Sequence, residues 1–157
     1  MGRELRRVPP DWQHPRDDKG HLIPLMAGYS EHLAEWELGA LRWAEGLQND
    51  YRGGWEPIAD KDQVAYPTWE SWSGERPDPK DYMLPDADEG ELTHCQAYED
   101  TSNGTPLSPV FATPEECAQW CADNWVSAFG RESADYDWWI GVLRDGRFSG
   151  PVVTVPA

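Results

Sequence analysis

Thr113-Pro114-Glu115-Glu116-Cys117-Ala118-Gln119-Trp120-Cys121 opens a helix and marks the side on which its core lies. A threonine followed three residues later by glutamate is a capping box, and proline in the first helical position costs no hydrogen bond because that amide lacks a partner anyway. Cys117, Trp120 and Cys121 then recur at spacings of three and one, which makes them the buried stripe of a short helix. Working outward, His94-Cys95-Gln96-Ala97-Tyr98-Glu99 reads as a strand before it. After it, Asn124 to Gly130 reads as a turn, and Ser133 as the cap of a second helix carrying Tyr136, Trp139, Ile140 and Leu143. Asp145-Gly146 ends that helix, and Gly150 to Val155 reads as a closing strand. A helix pair beside short strands predicts an α+β fold: a small single domain over 1–157, with two or three helices packed on a short antiparallel sheet.

The same periodicity appears once more upstream. Leu33, Trp36, Ala40, Trp43 and Leu47 fall on one face at spacings of three and four, so Tyr29 to Leu47 reads as a helix over 30–47 with Ser30 as its cap and Gly46 near its stop. Tryptophans in such a stripe belong to the core, which assigns Trp36 and Trp43 to it. This helix is expected to join a compact core formed by 93–157. Residues 1–28 carry Pro9, Pro10, Pro15 and Pro24, which forbid a long helix, so a short strand near Glu4 to Val8 followed by an extended arm is expected.

Residues 49–92 lack either period and are punctuated by Gly53, Gly54 and five prolines, which predicts a long irregular excursion with one short helix near Thr68 to Ser73. Trp55, Trp69, Trp72, Tyr51, Tyr66 and Tyr82 are the wrong composition for disorder, so the excursion packs on the core or on a partner.

Charge narrows the function classes. The chain carries 29 acidic and 13 basic side chains for a net −16, and residues 1–28 are +1, leaving −17 on the rest. Nucleic-acid affinity comes from neutralising phosphates with lysine and arginine, so direct DNA or RNA binding and binding to anionic membranes are disfavoured. No apolar run is long enough for a membrane span or a signal h-region, which predicts a cytoplasmic protein, and three cysteines without an export signal read as thiols.

Catalytic frames are missing. There is no nucleophile-elbow motif, phosphate-binding glycine loop or His-Glu-x-x-His, and the four histidines (His14, His21, His32, His94) fall in no recognisable arrangement. Cys117 and Cys121, with His94 and Cys95 upstream, are the one zinc-like set. Two of them lie in the stripe their helix must bury, so no metal or cofactor is assigned, and a zinc enzyme stands as an alternative.

Asp78, Asp81, Asp86, Asp88, Glu89, Glu91, Glu99 and Asp100 follow one another with Lys80 as the only lysine among them. Carboxylates on a rigid surface can imitate the repeating charge of a duplex, and Trp69, Trp72 and Tyr82 beside them are of the types that anchor interfaces. These residues are the candidate partner-binding site.

GRELRRVPPDWQHP (2–15) and YEDTSNGTPLSPVFATPEECAQWCADNWVSAFG (98–130) together resemble a group of small acidic proteins encoded by tailed bacteriophages and prophages, over about a third of the chain. The resemblance implies an accessory protein acting in a bacterial host cell and brings no catalytic residues. Together with the charge it gives the leading expectation: a non-enzymatic, counter-defence inhibitor, acting as a DNA mimic, that occupies the basic surface of a host protein or ribonucleoprotein complex of the CRISPR or restriction type. A virion or replication accessory protein is the alternative.

Overall fold

The computed structural model describes residues 2–99, 104–129, 131–145 and 152–154. The expected Gly130, Gly146, Gly150, Pro151, Val155 and Asp100 features lie outside the described residues. In chain order the elements are β1 (Arg3–Val8), α1 (Tyr29–Ala44), β2 (Leu47–Asn49), β3 (Trp55–Pro57), α2 (Asp60–Ala65), α3 (Trp69–Ser73), β4 (His94–Glu99), β5 (Thr105–Pro106), α4 (Pro114–Asp123), β6 (Ser127–Phe129), β7 (Glu132–Ala134), α5 (Tyr136–Asp145) and β8 (Val152–Thr154). Single 3-10 turns occupy Pro79–Asp81 and Glu89–Glu91. The fold is α+β with antiparallel sheets, and the described residues hold five α-helices where two or three were expected. They form two compact units, one of residues 1–27 with 86–157 and one of residues 28–85.

In the first unit β4 is the central strand of β1-β4-β5, paired with β1 from Arg3 opposite Glu99 to Val8 opposite His94. Strand alternation sends Cys95 and Ala97 to one face and Gln96 and Tyr98 to the other. On the first face α4 and α5 bury Cys117, Ala118, Cys121, Trp138, Trp139, Val142 and Leu143 against Cys95 and Ala97. Thr113 caps α4 by accepting from the Glu116 amide at 3.2 Å, with Pro114 leading. Ser133 is not the cap of α5: it is buried in β7, and the Asp135 carboxylate accepts from the Trp138 amide at 3.0 Å. The expected turn after α4 is partly a strand, since β6, β7 and β8 form a second sheet.

The other face of β4 receives the N-terminal arm through a chain of donors. Trp12 donates its indole N–H to the Tyr98 hydroxyl (3.1 Å), and His14 meets that oxygen with Nδ1 (2.8 Å) and the Ile23 carbonyl with Nε2 (2.5 Å). A carbonyl can only accept, so Nε2 carries the proton, Nδ1 accepts, and the Tyr98 hydroxyl donates to it. Arg6 stacks over the Tyr98 ring at 4.3 Å and donates to the Leu25 carbonyl at 2.7 Å. Leu25 donates in turn to the Gly104 carbonyl (3.1 Å), and Gly104, at φ +58°, must be glycine because an added Cβ would overlap the Leu25 backbone.

Burial, with help from Arg6 and Arg16, holds the His14 pKa below its ordinary 6.5. Between that lowered value and 6.5 the unfolded chain binds more protons than the folded one, so this contribution to stability is complete above pH 6.5 and drains away as pH falls through the interval. Urea midpoints measured from pH 7.5 to 4.5 should therefore decline more steeply in the native chain than in His14→Gln; parallel curves would remove His14 as the cause.

In the second unit α1 begins at Tyr29 after Gly28, whose left-handed backbone (φ 79°) starts the helix without a side-chain cap, so Ser30 lies inside the helix. Leu47 falls beyond it in β2. The excursion is ordered: β2 and β3 form a hairpin, and α3 begins with a reciprocal capping box between Thr68 and Ser71. Its residues 49–85 belong with α1, whose tryptophan face they cover. Trp36 and Trp69 lie 6.4 Å apart, Trp43 and Trp69 5.9 Å, and Trp43 stacks on Trp72 at 5.4 Å.

Candidate binding surfaces

The sequence-predicted acids divide between the two units. Asp86, Asp88, Glu89 and Glu91 belong to the first and are all exposed, on and just before the 3-10 turn Glu89–Glu91. That turn is fixed to β1 by Arg7, which donates Nε to the Leu92 carbonyl (3.1 Å) and an Nη to the Glu89 carbonyl (3.4 Å). The guanidinium thus engages backbone oxygens, and none of these four carboxylates joins an ion pair among the described residues. The arrangement is a pinned backbone with its negative charge turned to water.

Glu99 differs. It is half-buried and pairs with Arg3 at 3.5 Å across the β1–β4 ladder, so its charge is already answered. Asp100 lies outside the described residues. The pairs Arg6 with Glu4 and Arg144 with Glu115 use further cations inside this unit.

In the second unit Asp78 and Asp81 are exposed, and Asp78 spends one oxygen capping its own turn through the Lys80 amide at 3.0 Å. Tyr82 is turned inward, only 7% exposed, with its hydroxyl 2.9 Å from His32 Nδ1. Burial raises its pKa, aided by Asp81 and Tyr29. Trp69 and Trp72 are half-buried and form walls of a cleft of about 590 Å³ completed by Trp36, Tyr51 and Tyr66. Glu35 and Glu75 also line it, and neither has a cation partner among the described residues.

Sequence reading placed Trp69 and Trp72 at a surface but attached them to the acidic run rather than to this cleft. Tyr51 was passed over as a site residue. Its signal is conformational: φ is +59°, and the ring is 85% exposed. A bulky residue held left-handed carries strain that the surrounding turn must sustain, which it does through Asn49 accepting from the Tyr51 amide (2.6 Å) and Asp50 accepting from the Arg52 and Gly54 amides.

The thiols are interior. Cys117 and Cys121 have no exposed surface, and Cys95 is buried at 4%. A hydrogen bond from Cys121, with others from Ser108 and the Ala97 backbone, pulls the Cys117 pKa down against its burial. Cys121 rises as the donor, and burial pushes Cys95 up to about 11. His94, next to Cys95 on β4, alternates to the opposite face and lies 3.0 Å from the Thr93 hydroxyl. Among the described residues no three histidine, cysteine or carboxylate side chains gather as a metal would require, and no helix is long and apolar enough to cross a membrane.

No protein-family model, curated protein or solved structure matches the chain.

Proposed function

We propose that the protein is a non-catalytic binding protein that grips a basic macromolecular surface, in the manner of a phage-encoded inhibitor lodged on a host nucleic-acid-processing or defence complex. The supporting observation is the Arg7-pinned turn with Asp86, Asp88, Glu89 and Glu91 exposed and unanswered. Charges fixed before encounter need no ordering on binding, so they raise the association rate and select against acidic partners. Their contribution falls with ionic strength because exposed pairs are screened over about 8 Å at physiological salt. The net −16 of the chain extends the same field over a longer range.

The test is retention of a nucleic-acid-processing complex from the bacterial host by tagged protein, followed by affinity measurement on the recovered complex. Reversing Asp86, Asp88, Glu89 and Glu91 to lysine should weaken binding by roughly 100-fold or more, since each site swaps an attraction worth up to about 1 kcal/mol for a repulsion. A matched reversal of Asp11, Asp18, Glu31 and Glu132, also exposed, should cost much less. Equal losses from the two sets would abolish the localised site and leave only net charge. Retention of phage structural proteins instead would move the reading to a virion accessory role.

A further inference from the structure

We propose that the aromatic cleft of residues 28–85 is a receptor for an arginine side chain presented by the basic partner. This deepens the function proposed above and rests on it. The cleft is a different surface from the acidic turn: all its lining residues come from the second unit.

Three features of the cleft select a cation. First, Trp36, Tyr51, Tyr66, Trp69 and Trp72 line a single cavity of about 590 Å³, and aromatic faces attract positive charge through their quadrupoles. Second, Glu35 and Glu75 enter the same cavity without a cation partner among the described residues, so an occupant would meet both a ring face and a carboxylate. Third, the unit carries twelve acidic and five basic side chains, net −7, which repels anions from the mouth. Neutral apolar ligands gain from the rings but leave two carboxylates to be desolvated without compensation.

Guanidinium suits the site better than ammonium. The cleft is open to water, and arginine is the more weakly hydrated cation, with a planar head that can stack on an indole while donating in its plane to a carboxylate. The chain already uses that pairing within itself. Arg42 lies over Trp55 at 5.6 Å while bonded to Glu45, and Arg76 lies over Trp36 at 5.7 Å while bonded to Glu37. Arg6 on Tyr98, bonded to Glu4, is a third example in the other unit. Each is an arginine held between a ring and a glutamate, and Glu35 or Glu75 with Trp69 and Trp72 offers the same arrangement with the arginine still to come.

Tyr51 argues that the cleft is built for an occupant rather than left over from packing. An 85% exposed aromatic side chain at φ +59° gains little from burial in the free protein and carries backbone strain. Closing over a stacked guanidinium would bury that ring.

The experiment is a titration of nitrogen-15-labelled protein with N-acetyl-arginine amide, and separately with the neutral isostere N-acetyl-citrulline amide, following the indole N–H resonances of Trp36, Trp69 and Trp72 assigned through single phenylalanine variants. Arginine amide should shift these signals saturably with half-saturation in the millimolar range, and citrulline at least tenfold more weakly. Glu35→Gln combined with Glu75→Gln should weaken the arginine response about tenfold, and Tyr51→Ala should weaken it several-fold; both change exposed side chains, and unchanged spectra elsewhere would confirm that the unit is intact. No saturable shift, or equal responses to arginine and citrulline, would overturn the proposal. The lysine reversal of Asp86, Asp88, Glu89 and Glu91 should leave the arginine titration unaltered. Partner capture that survives in a protein whose cleft ignores arginine would remove this inference and keep the acidic-turn reading. Arginine binding without salt-sensitive capture through the acidic turn would do the reverse.

Discussion

Replacing Gly39 by alanine is expected to destabilise the unit of residues 28–85 by about 2–3 kcal/mol, although on helix propensity alone the change should help by about 1 kcal/mol. Gly39 is the buried residue of α1, and an added methyl would overlap the Cζ2 and Cη2 atoms of the Trp69 indole. Neither side can yield cheaply. The obstacle is a rigid ring rather than a flexible tip, and that ring is held by Trp36 and Trp43 on α1. Displacing Trp69 would forfeit much of the burial of an indole, for which removal costs about 3–5 kcal/mol in a packed interior, so sterics outweigh propensity. Hydrogen exchange should show faster opening of amides in α1 and α3. Combining Gly39→Ala with Trp69→Leu should recover part of the loss, because the two residues share one contact. A stability equal to or above that of the native chain would mean that the indole does not lie on the helix backbone, and the cleft described above would lose a wall.

The Gly39 and Trp69 pairing also marks where sequence reading stops. The stripe of Leu33, Trp36, Ala40 and Trp43 was legible because helical period is a local property, yet these residues are half-buried rather than core, with Trp36 a wall of the cleft, while Leu38 and Leu41 are 44% and 58% exposed. What covers them was not legible. A tryptophan thirty residues away is drawn there by a missing Cβ, and no period in 49–92 encodes that. The hairpin of Leu47–Asn49 with Trp55–Pro57 is three residues a side, too short for alternation to register. Caps failed for a different reason. Thr113 sits directly before a proline and is unambiguous, whereas Ser30 and Ser133 each had a rival within two residues, Gly28 and Asp135, and only backbone geometry decides between them.

The candidate site was legible in composition and misleading in grouping. A run of carboxylates in sequence suggests one surface, yet Glu99 faces Arg3 across a ladder, Tyr82 turns inward to His32, and the remainder divides at Pro85 between two units. Cross-strand pairing and burial are tertiary facts that residue type cannot report. The exposure of Asp86, Asp88, Glu89 and Glu91 was legible, because four acids crowded around a glycine, with Ala87 the one apolar residue among them, are costly to bury without cations to pair them.

Trp139→Ala should lower the stability of the unit containing 86–157 by about 4 kcal/mol, while Trp139→Phe should cost no more than about 1–2 kcal/mol. Trp139 has no exposed surface and packs edge-on to Trp138, ring centroids 5.0 Å apart at 85°, in the cluster where α5 meets α4 and β4. Alanine leaves a cavity in a cluster contributed by α4, α5 and β4, three elements that cannot all move to fill it. Against a stability of roughly 5–15 kcal/mol typical of a domain, that loss brings the unit close to unfolding at growth temperature. Phenylalanine behaves differently because two effects oppose each other. It removes volume, but it also removes the Trp139 indole N–H, which is buried and finds no acceptor among the described residues. An unpaired buried donor costs about 1–3 kcal/mol, so its deletion offsets much of the lost packing. Urea unfolding followed by far-UV circular dichroism separates the two variants. Losses that are equal and large would mean the indole nitrogen has an acceptor that stabilises it, and losses that are both small would mean that this aromatic pair does not hold the helices against the sheet.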